Sequence, residues 1–321
     1  MNPELFQADL EAKPRALREL AARLRAEDPW SESGIGRGSR LVMLGMGSSH
    51  YANAVGAARL RARGMDAIAE LSSSELLPPG QVGTVAVAVS ASGGSAETLD
   101  AVRRMEGTSV VAMTNVSESP LVALAGSTVS MHAGVEHGGV ACRSFQHTLA
   151  LWLDLEARLF GGRPAAAVVE SAARASEDLL DRREAWLPRL EQLAVGPDGT
   201  HLVAPAGRLS SAQQGALMLR EGPRLPAVGC ETGDWSHVDV YLTKTTDYRM
   251  ILFGGSRWEP ELLRWVRERS TTLVSVGAQL DDSAMDVRYP GDDDDDVRLL
   301  SEVLVAELLA ARLWAGASPL R

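Results

Sequence analysis

The 321-residue sequence contains little cysteine and no long apolar run. Its two cysteines, Cys142 and Cys230, are too few for a disulfide framework, and their spacing is not that of a metal site. No segment reaches the about 18 consecutive apolar residues of a membrane-spanning helix. The first twenty residues carry charges throughout, unlike a signal peptide. We therefore expect a reduced, cytoplasmic protein that has no membrane partner.

A basic surface is also missing, because 42 acidic residues outnumber 32 basic ones and give a net charge of −10. Nucleic-acid binding requires a basic face, so no nucleic-acid partner is expected. The acidic run Asp292–Asp296 lacks the alternate spacing of a calcium loop, and we interpret it as a solvated turn before the last helix. No cluster of residues suggests a metal or an organic cofactor, so none is expected.

Short apolar segments alternate with helical patterns along the chain, which predicts an α/β fold with parallel sheets covered on both faces. Helical spacing predicts a helix over Pro14–Ala26 and connecting helices over Ala165–Leu193. Similar loops follow strands in the two halves at an offset of about 160 residues, which indicates an internal repeat. The predicted strands are Arg40–Leu44, Thr84–Val89, Thr108–Met113, His201–Ala204, Arg249–Phe253 and Thr271–Val276.

The strongest local signal is the loop Ser90–Ser95 (SASGGS), which follows a buried strand and precedes a helix that begins near Ala96. Glycines let the backbone approach a ligand closely, and the amide groups at a helix start favour an anion. The hydroxyls of Ser90, Ser92 and Ser95 add donors. The loop has no lysine and no GxGxxG pattern, so it matches neither a Walker A nor a dinucleotide site. It suits a phosphate monoester; the alternative is an ordinary helix N-cap.

A second loop with the same composition, Gly45–Ser49, follows the first strand. Loops after parallel strands gather at one edge of the sheet, so Ser48 and Ser49 are expected to join the same site. His50 beside them has the pattern of a structural histidine at a helix start. In the second half, the corresponding loop Gly254–Trp258 has one serine and two large side chains, Arg257 and Trp258. This predicts that the phosphate site is lost there.

Glu221 is the candidate general base. The segment Ser210–Glu221 is expected to be a helix that ends at Gly222, which places this carboxylate at the negative end of the helix dipole. That position raises a carboxyl pKa, as a base acting near neutrality requires. His237 follows in a loop rich in Gly, Asp and Trp. Composition alone is equally compatible with a solvent-exposed glutamate and a structural histidine.

Taken in order, these segments resemble the SIS (sugar isomerase) family, in particular its members with two SIS domains, such as the isomerase part of glucosamine-6-phosphate synthases. The resemblance covers nearly the whole chain, and the order and spacing of the motifs carry it. The matching segments are Pro14–Leu17, Gly47–Ser49, Ser90–Thr98, Ala133–Phe145 and Leu217–Glu221, with His237 sixteen residues after Glu221.

The resemblance implies two tandem SIS domains, each a parallel five-stranded sheet flanked by helices in a flavodoxin-like arrangement. It implies a helical lead-in over residues 1–38, a first SIS domain over 39–164, connecting helices over 165–195 and a second SIS domain over 196–321. Phosphate and sugar would be bound by a set of serines and glycines, Gly47, Ser48, Ser49, Ser90, Ser92, Gly93 and Ser95. Glu221 would move a proton between C1 and C2 of a phosphosugar.

The resemblance also implies that His237 assists ring opening from a neighbouring subunit, and hence a homodimer. Several positions depart from the family pattern. Met218 replaces a lysine, Gln214 replaces a glutamate, and Val238-Asp239 stands where the family has Gly-Pro. No glutaminase domain is recognised, so no glutaminase activity is expected, and the segment from Trp314 to Arg321 lacks the lysine that synthases use to hold an open-chain ketose.

The function expected from these features is aldose–ketose isomerisation, or the linked deamination, of a hexose or aminosugar 6-phosphate. A deglycase acting on 6-phosphorylated fructosamines would use the same proton abstraction, and the residues do not separate the two. A non-catalytic phosphosugar sensor is the alternative from another class. Such sensors carry a DNA-binding or partner domain, and the 40 residues before the first strand are too short to supply one.

Overall fold

Two parallel five-stranded sheets form the framework of the computed structural model, which describes residues 1–316. Residues 317–321 lie outside the described residues. The expectation that the C-terminal segment lacks the lysine of the synthases falls partly on them. The described chain divides into two compact units. The first unit contains Arg15–Val135 and Ala141–Glu170, and the second contains Met1–Pro14, Glu136–Val140 and the chain from Ser171 onward.

The sheet of the first unit has the strand order β2-β1-β3-β4-β5, with every neighbouring pair parallel. Its central strand, β3, is buried at all six positions, because alternate small and branched apolar side chains are covered on both faces. Strand order 2-1-3-4-5 is the flavodoxin-like order. The strands are β1 (Arg40–Gly45), β2 (Asp66–Leu71), β3 (Thr84–Val89), β4 (Ser109–Thr114) and β5 (Ser127–Ser130).

The sheet of the second unit has the order β10-β9-β8-β6-β7, again with all pairs parallel. Renumbered within the unit, this is the same 2-1-3-4-5 order as in the first sheet. The core against this sheet contains Trp235, Tyr248 and Leu262. The strands are β6 (Thr200–Ala204), β7 (Ala227–Glu231), β8 (Arg249–Phe253), β9 (Thr272–Val276) and β10 (Met285–Val287).

Helices connect the strands and cover both sheets, as the parallel pairing requires. Several helix ends match the sequence-based expectations, since α4 begins at Ala96 and α9 ends at Glu221. The helices are α1 (Pro3–Glu11), α2 (Lys13–Ala26), α3 (Gly47–Ala62), α4 (Ala96–Arg104), α5 (Pro120–Leu124), α6 (Arg143–Phe160), α7 (Ala165–Asp181), α8 (Arg183–Ala194), α9 (Leu209–Glu221), α10 (Thr232–Trp235), α11 (Glu259–Arg269), α12 (Asp295–Ser301) and α13 (Val303–Gly316), with short 3-10 helices at Ala206–Arg208 and Asp239–Lys244.

The α/β class, the parallel pairing and the six strands expected from apolar runs are confirmed, with ends shifted by at most one residue. The domain boundaries and the internal repeat stay predictions. No helix within residues 1–316 has both the length and the apolar character needed to cross a bilayer. Both cysteines are free, as expected, with Cys142 buried and Cys230 partly exposed.

The acidic run differs in part from the solvated turn predicted for it. Asp294 is the N-cap of α12 and accepts hydrogen bonds from the amides of Asp296 and Val297, at 3.0 and 3.3 Å. Asp292, in contrast, is buried and accepts a 2.8 Å hydrogen bond from Nη2 of Arg288. The run therefore starts one helix and anchors the turn before it.

A buried ion pair fixes the N-terminal residues within the second unit. Lys13 at the start of α2 contacts Glu307 in α13, and both side chains are completely buried. Nearby, the amide of Gly138 donates to the Asp9 carboxylate at 2.7 Å. Burial raises the pKa of Glu307 and Lys13 opposes that rise. Because a buried charge is costly without its partner, this pair makes the packing of the N-terminal residues sensitive to either side chain.

Replacing Lys13 with Met should destabilise the protein by about 3–5 kcal/mol near pH 8, because the Glu307 carboxylate would remain buried without its partner. Loss of the lysine raises the pKa of Glu307 further. As the pH falls, Glu307 therefore takes up a proton and part of the loss is recovered. Urea unfolding of variant and unsubstituted protein at pH 8 and pH 6 measures this difference.

The matched control is the double variant Lys13→Met/Glu307→Leu, which removes both charges. Its stability relative to the unsubstituted protein should be closer to neutral and independent of pH. A single variant as stable as the unsubstituted protein, or one whose loss is the same at both pH values, would contradict this account of the pair.

Candidate active site

The two serine-bearing loops of the first unit follow neighbouring strands. The loop at Gly45–Ser49 follows β1, the loop Ser90–Ser95 follows β3, and β1 pairs directly with β3. In this strand order the chain changes direction between these two strands, and ligands of open α/β sheets bind beside the carboxyl ends at that point. The structure therefore brings the two loops to the same edge of the sheet, as the sequence predicts.

A chain of hydrogen bonds connects the two loops through residues that the sequence analysis missed. The amide of Ser72 donates to the carbonyl of Gly45 at 3.1 Å, and the Thr98 hydroxyl lies 3.2 Å from the hydroxyls of both Ser72 and Ser95. Ser72 follows the edge strand β2, which has no continuous apolar run. No local signal therefore marked it.

Gly93 determines the shape of the loop after β3. Its φ of +64° lies in the left-handed region, and a Cβ at this position would lie 2.2 Å from Oγ of Ser119. Its amide donates to the carbonyl of Ser90 at 3.0 Å, and its carbonyl accepts from the amide of Leu121 at 3.0 Å. The loop consequently folds back on itself, and only glycine fits at this position.

The three loop serines occupy different environments. Ser90 is buried at the end of β3, and the Ser92 hydroxyl accepts a 3.3 Å hydrogen bond from the amide of Gly94. Ser95 is the N-cap of α4, with its hydroxyl accepting from the amide of Thr98 at 3.4 Å. The ordinary N-cap alternative therefore describes Ser95, and its role toward a phosphate stays a prediction.

A carboxylate lies beside this N-cap. Ser95 Oγ donates to Oε2 of Glu97 at 2.9 Å, and hydrogen bonds from the Glu97 backbone and from Ser95 lower the pKa of Glu97. Glu97 is ionised at neutral pH. An anion bound at the start of α4 would meet this charge, so the start of α3 is the better of the two helix ends for a phosphate.

At the start of α3, Met46 is the N-cap and offers no side-chain oxygen to the first helical amides. Gly47 adopts a φ of +49°, Ser48 is nearly buried, and the Ser49 amide donates to the Met46 carbonyl at 3.1 Å. Burial lowers the pKa of His50, so this neighbour is neutral near pH 7. The serines of this loop therefore stand at a helix start that has no side-chain cap.

The corresponding loop of the second unit is filled by the protein's own side chains. The amides of Gly255 and Ser256 both donate to Oε1 of Glu259, the second of them at 2.7 Å. A carboxylate thus takes the backbone donors that an anion would need. The absence of a phosphate site from this loop stays a prediction.

Arg208 follows β6 at the position that Ser48 has after β1, and it was not recognised as important from the sequence. Its buried guanidinium contacts the Glu302 carboxylate and the Gly254 carbonyl. A Cβ on Gly255 would lie 2.8 Å from Nη2 of Arg208. Burial raises the pKa of Glu302 to about 7, with Arg208 opposing the rise.

Glu221 is the last residue of α9, and its carboxyl is half-buried. Burial raises its pKa, and the neighbouring Arg220 partly opposes that rise. The direction is the one predicted from the helix dipole, but the first cause is loss of water. The helix ends here because Gly222 caps it, with its amide donating to the carbonyl of Met218 at 3.1 Å.

Two residues of α9 that depart from the family pattern lie in the core. Met218 and Gln214 are both buried, and Nε2 of Gln214 lies 3.6 Å from the Met218 sulfur. A lysine in place of Met218 would have to keep its ammonium group in this environment. The side chain at position 218 is therefore part of the packing of the second unit.

His237 lies on the surface of the second unit in the turn after α10, and its amide donates to the Asp234 carbonyl at 2.8 Å. Its side chain is exposed, as a ligand-facing group would be. Among residues 1–316 no cluster of three or more metal-ligating side chains occurs.

Comparison with known proteins gives no matching family model. The chain is 31% identical over 261 residues to a glutamine–fructose-6-phosphate aminotransferase (isomerizing) of Aeropyrum pernix, covering 75% of this chain and 42% of that protein. It is 22% identical over 317 residues to the enzyme of the same name from Sulfurisphaera tokodaii, covering 96% and 53%. The chain thus spans about half the length of the curated relatives it matches.

Solved structures share the fold across nearly the whole chain. The C-terminal domain of glucosamine-fructose-6-phosphate aminotransferase from Francisella tularensis superposes with a TM-score of 0.80 at 16% identity, covering 97% of this chain and 96% of that one. Tagatose-6-phosphate ketose/aldose isomerase from Escherichia coli gives 0.76 at 14%, covering 96% and 92%. Glucosamine-6-phosphate deaminase from Thermotoga maritima gives 0.72 at 14%, covering 97% and 94%.

Sequence relatives and the motif order point to the same group of proteins. The alignment with the Sulfurisphaera tokodaii enzyme covers 96% of this chain. It therefore includes both serine loops, Glu221 and His237. The motifs quoted above occur in the family order, on a fold that the solved structures share. The chain belongs to the SIS (sugar isomerase) family.

Proposed function

We propose that this chain is a phosphosugar isomerase, which interconverts the aldose and ketose forms of a hexose 6-phosphate or deaminates an aminosugar 6-phosphate in the linked reaction. The observation that carries the proposal is the pair of loops at one edge of the first sheet, where Gly93 folds the loop Ser90–Ser95 and the start of α3 has no side-chain cap. Both loops offer hydroxyl and amide donors, and neither contains a lysine or an arginine. Such a site binds a phosphate monoester reversibly, as turnover requires.

Glu221 has the properties of the general base in this proposal. Isomerisation needs one group that removes a proton from C2 and returns it to C1 through a cis-enediolate. A carboxylate with a raised pKa is better matched to this task than an ordinary exposed one, and burial raises the pKa of Glu221. The electron pair moves through the enediolate, so no redox cofactor is required.

His237 is assigned to the ring oxygen. A cyclic sugar must open before C2 loses its proton, and ring opening needs a side chain that transfers a proton to or from the ring oxygen. The family resemblance implies that this histidine acts in the site of a neighbouring subunit, so a homodimer is part of the proposal. The names of similar proteins, an isomerase acting on tagatose 6-phosphate and a glucosamine-6-phosphate deaminase, agree with this class of substrate.

One observation favours a second candidate, a phosphosugar sensor without catalysis. Met218 occupies a lysine position of the family and is buried in the core, so one polar group of the family's site is missing. A sensor would keep the serine loop and tolerate loss of Glu221. A deglycase would keep both and differ from the isomerase only in its product. The cytoplasmic location also stays a prediction.

Phosphosugar binding is tested by thermal shift with fructose 6-phosphate, tagatose 6-phosphate and glucosamine 6-phosphate, with inorganic phosphate and unphosphorylated fructose for comparison. A ligand at 100 times its Kd should add about 2.7 kcal/mol of stability. The variants Ser90→Ala and Ser92→Ala should each weaken binding by roughly 10- to 100-fold, the value of a hydrogen bond to a charged group.

Ser256→Ala is the matched control, because Ser256 stands in the loop of the second unit whose amides Glu259 already occupies. It should leave binding unchanged. Equal affinities for all three serine variants, or no stabilisation by any phosphosugar, would remove the basis of the phosphate assignment. NMR of each stabilising ligand then identifies the product, and a ligand that binds unchanged favours the sensor.

Glu221→Gln should lower kcat by about 10²-fold or more, while phosphosugar binding persists. In the unsubstituted enzyme, kcat/KM should fall as the pH drops through the pKa of Glu221, because the base must be deprotonated. Since burial raises that pKa, the acid limb should lie above 4.5, the ordinary value for glutamate.

Arg220→Gln tests whether titration of Glu221 produces the acid limb of the kcat/KM profile. Its charge lowers the pKa of Glu221, so its removal should move the limb to higher pH without abolishing turnover. Full activity of Glu221→Gln would exclude the role given to this carboxylate. A limb that does not move in Arg220→Gln would assign the titration to another group.

A sharing of sites between subunits predicts that two severely impaired variants, each with low residual turnover, complement each other. Mixing Glu221→Gln with His237→Gln under subunit exchange should restore up to about a quarter of the unsubstituted turnover, because half the dimers are mixed and each has one intact site. Mixtures that stay inactive while exchange is demonstrated by mass spectrometry would place both residues in the same subunit's site, or neither in any site.

A further inference from the structure

The turn that carries His237 is exposed, but the residues two positions away on each side are buried. Trp235 ends α10 and is completely buried, and Asp239 begins the 3-10 helix Asp239–Lys244 with 8% exposure. Their side chains are directed into the second unit. The position of His237 therefore depends on what holds these two flanking side chains.

One hydroxyl holds both of them. The indole Nε1 of Trp235 donates to Oη of Tyr248 at 2.8 Å, and the same hydroxyl donates to Oδ2 of Asp239 at 3.2 Å. The directions are fixed by chemistry, because an indole nitrogen only donates and a carboxylate only accepts. Tyr248 thus uses its hydroxyl once as acceptor and once as donor, and joins the two ends of the turn.

The ring of Tyr248 is itself held in place. It is 3% exposed at the start of β8 and stacks on the His201 imidazole, with ring centroids 3.8 Å apart and planes inclined by 20°. Nδ1 of His201 lies 3.4 Å from Oδ2 of Asp239. Burial and Asp239 raise the pKa of Tyr248, so its hydroxyl keeps the proton that it donates. The hydroxyl therefore has one orientation available.

We propose that Tyr248 is a positioning residue for His237: its buried hydroxyl joins Trp235 and Asp239 and thereby sets where the exposed histidine stands. The inference rests on the proposed function for its catalytic consequence.

Tyr248→Phe tests the proposal, because it keeps the stacked ring and removes only the hydroxyl. Two buried polar groups, on Trp235 and Asp239, then lose a partner, and both flanks of the turn are released together. Amide hydrogen exchange measured by mass spectrometry should rise about tenfold or more in peptides spanning 234–239, while exchange in β9 stays unchanged.

Tyr289→Phe is the matched control. Tyr289 is also buried in the second unit, and its hydroxyl has no hydrogen-bond partner within the part of the chain that the structure describes. Its removal should leave exchange at 234–239 as in the unsubstituted protein. If Tyr248→Phe leaves that exchange unchanged, or raises it equally in β9, the hydroxyl does not hold the turn and the proposal is overturned.

The catalytic consequence is measured with the phosphosugar that the unsubstituted protein turns over. Tyr248→Phe should lower kcat by about 10-fold or more and leave KM within about twofold, since the serine loop is untouched. Its effect should vanish in a His237→Gln background, because a residue acting through His237 has nothing left to position. Additive losses in the double variant would mean that Tyr248 acts elsewhere and would overturn the proposal.

The same measurements separate this inference from the proposed function. If no phosphosugar is converted by the unsubstituted protein, the proposed function fails, and the catalytic role given to Tyr248 fails with it. If turnover occurs and Tyr248→Phe changes neither exchange nor kcat, the proposed function stands and only the positioning role is lost.

Discussion

The pairing of β1 with β3 is the constraint on which the candidate site depends. The chain places β2 on one side of β1 and β3 on the other, and in open parallel sheets the carboxyl edge between two such strands is where ligands bind. The second sheet has the same order, with β6 in the place of β1. Whether such an edge can take an anion then depends on which side chains occupy it.

The corresponding loops of the two units differ in the side chains that occupy them. In the first unit, small residues leave backbone and hydroxyl donors at the edge, and Gly93 is in contact with Ser119, so any larger residue there would displace the loop. In the second unit, the Glu259 carboxylate takes the amides of Gly255 and Ser256, and Arg208 fills the space after β6. A carboxylate and a guanidinium of the protein itself therefore occupy this edge of the second sheet.

Apolar runs predicted the middle strands of both sheets, because those strands are covered on both faces and are apolar at most positions. The flanking strands escaped prediction because they lack such a run. β2 has a single buried position, Ala67, and β10 is only three residues long. The site was predictable where composition alone encodes it, as in the Ser/Gly loop. It was not predictable where it depends on distant contacts, such as Thr98 with Ser72 or Tyr248 with Asp239.

The pKa of Glu221 is raised, as predicted, but for a different reason. The prediction relied on the dipole of α9, whereas in the structure burial raises the pKa and Arg220 opposes the rise. A pKa that depends on exclusion of water rises further when a ligand covers the carboxylate. The buried Met218, in the place of the family's lysine, adds no cation that would counteract this rise. In the proposed reaction, Glu221 would therefore become a stronger base when the sugar covers it.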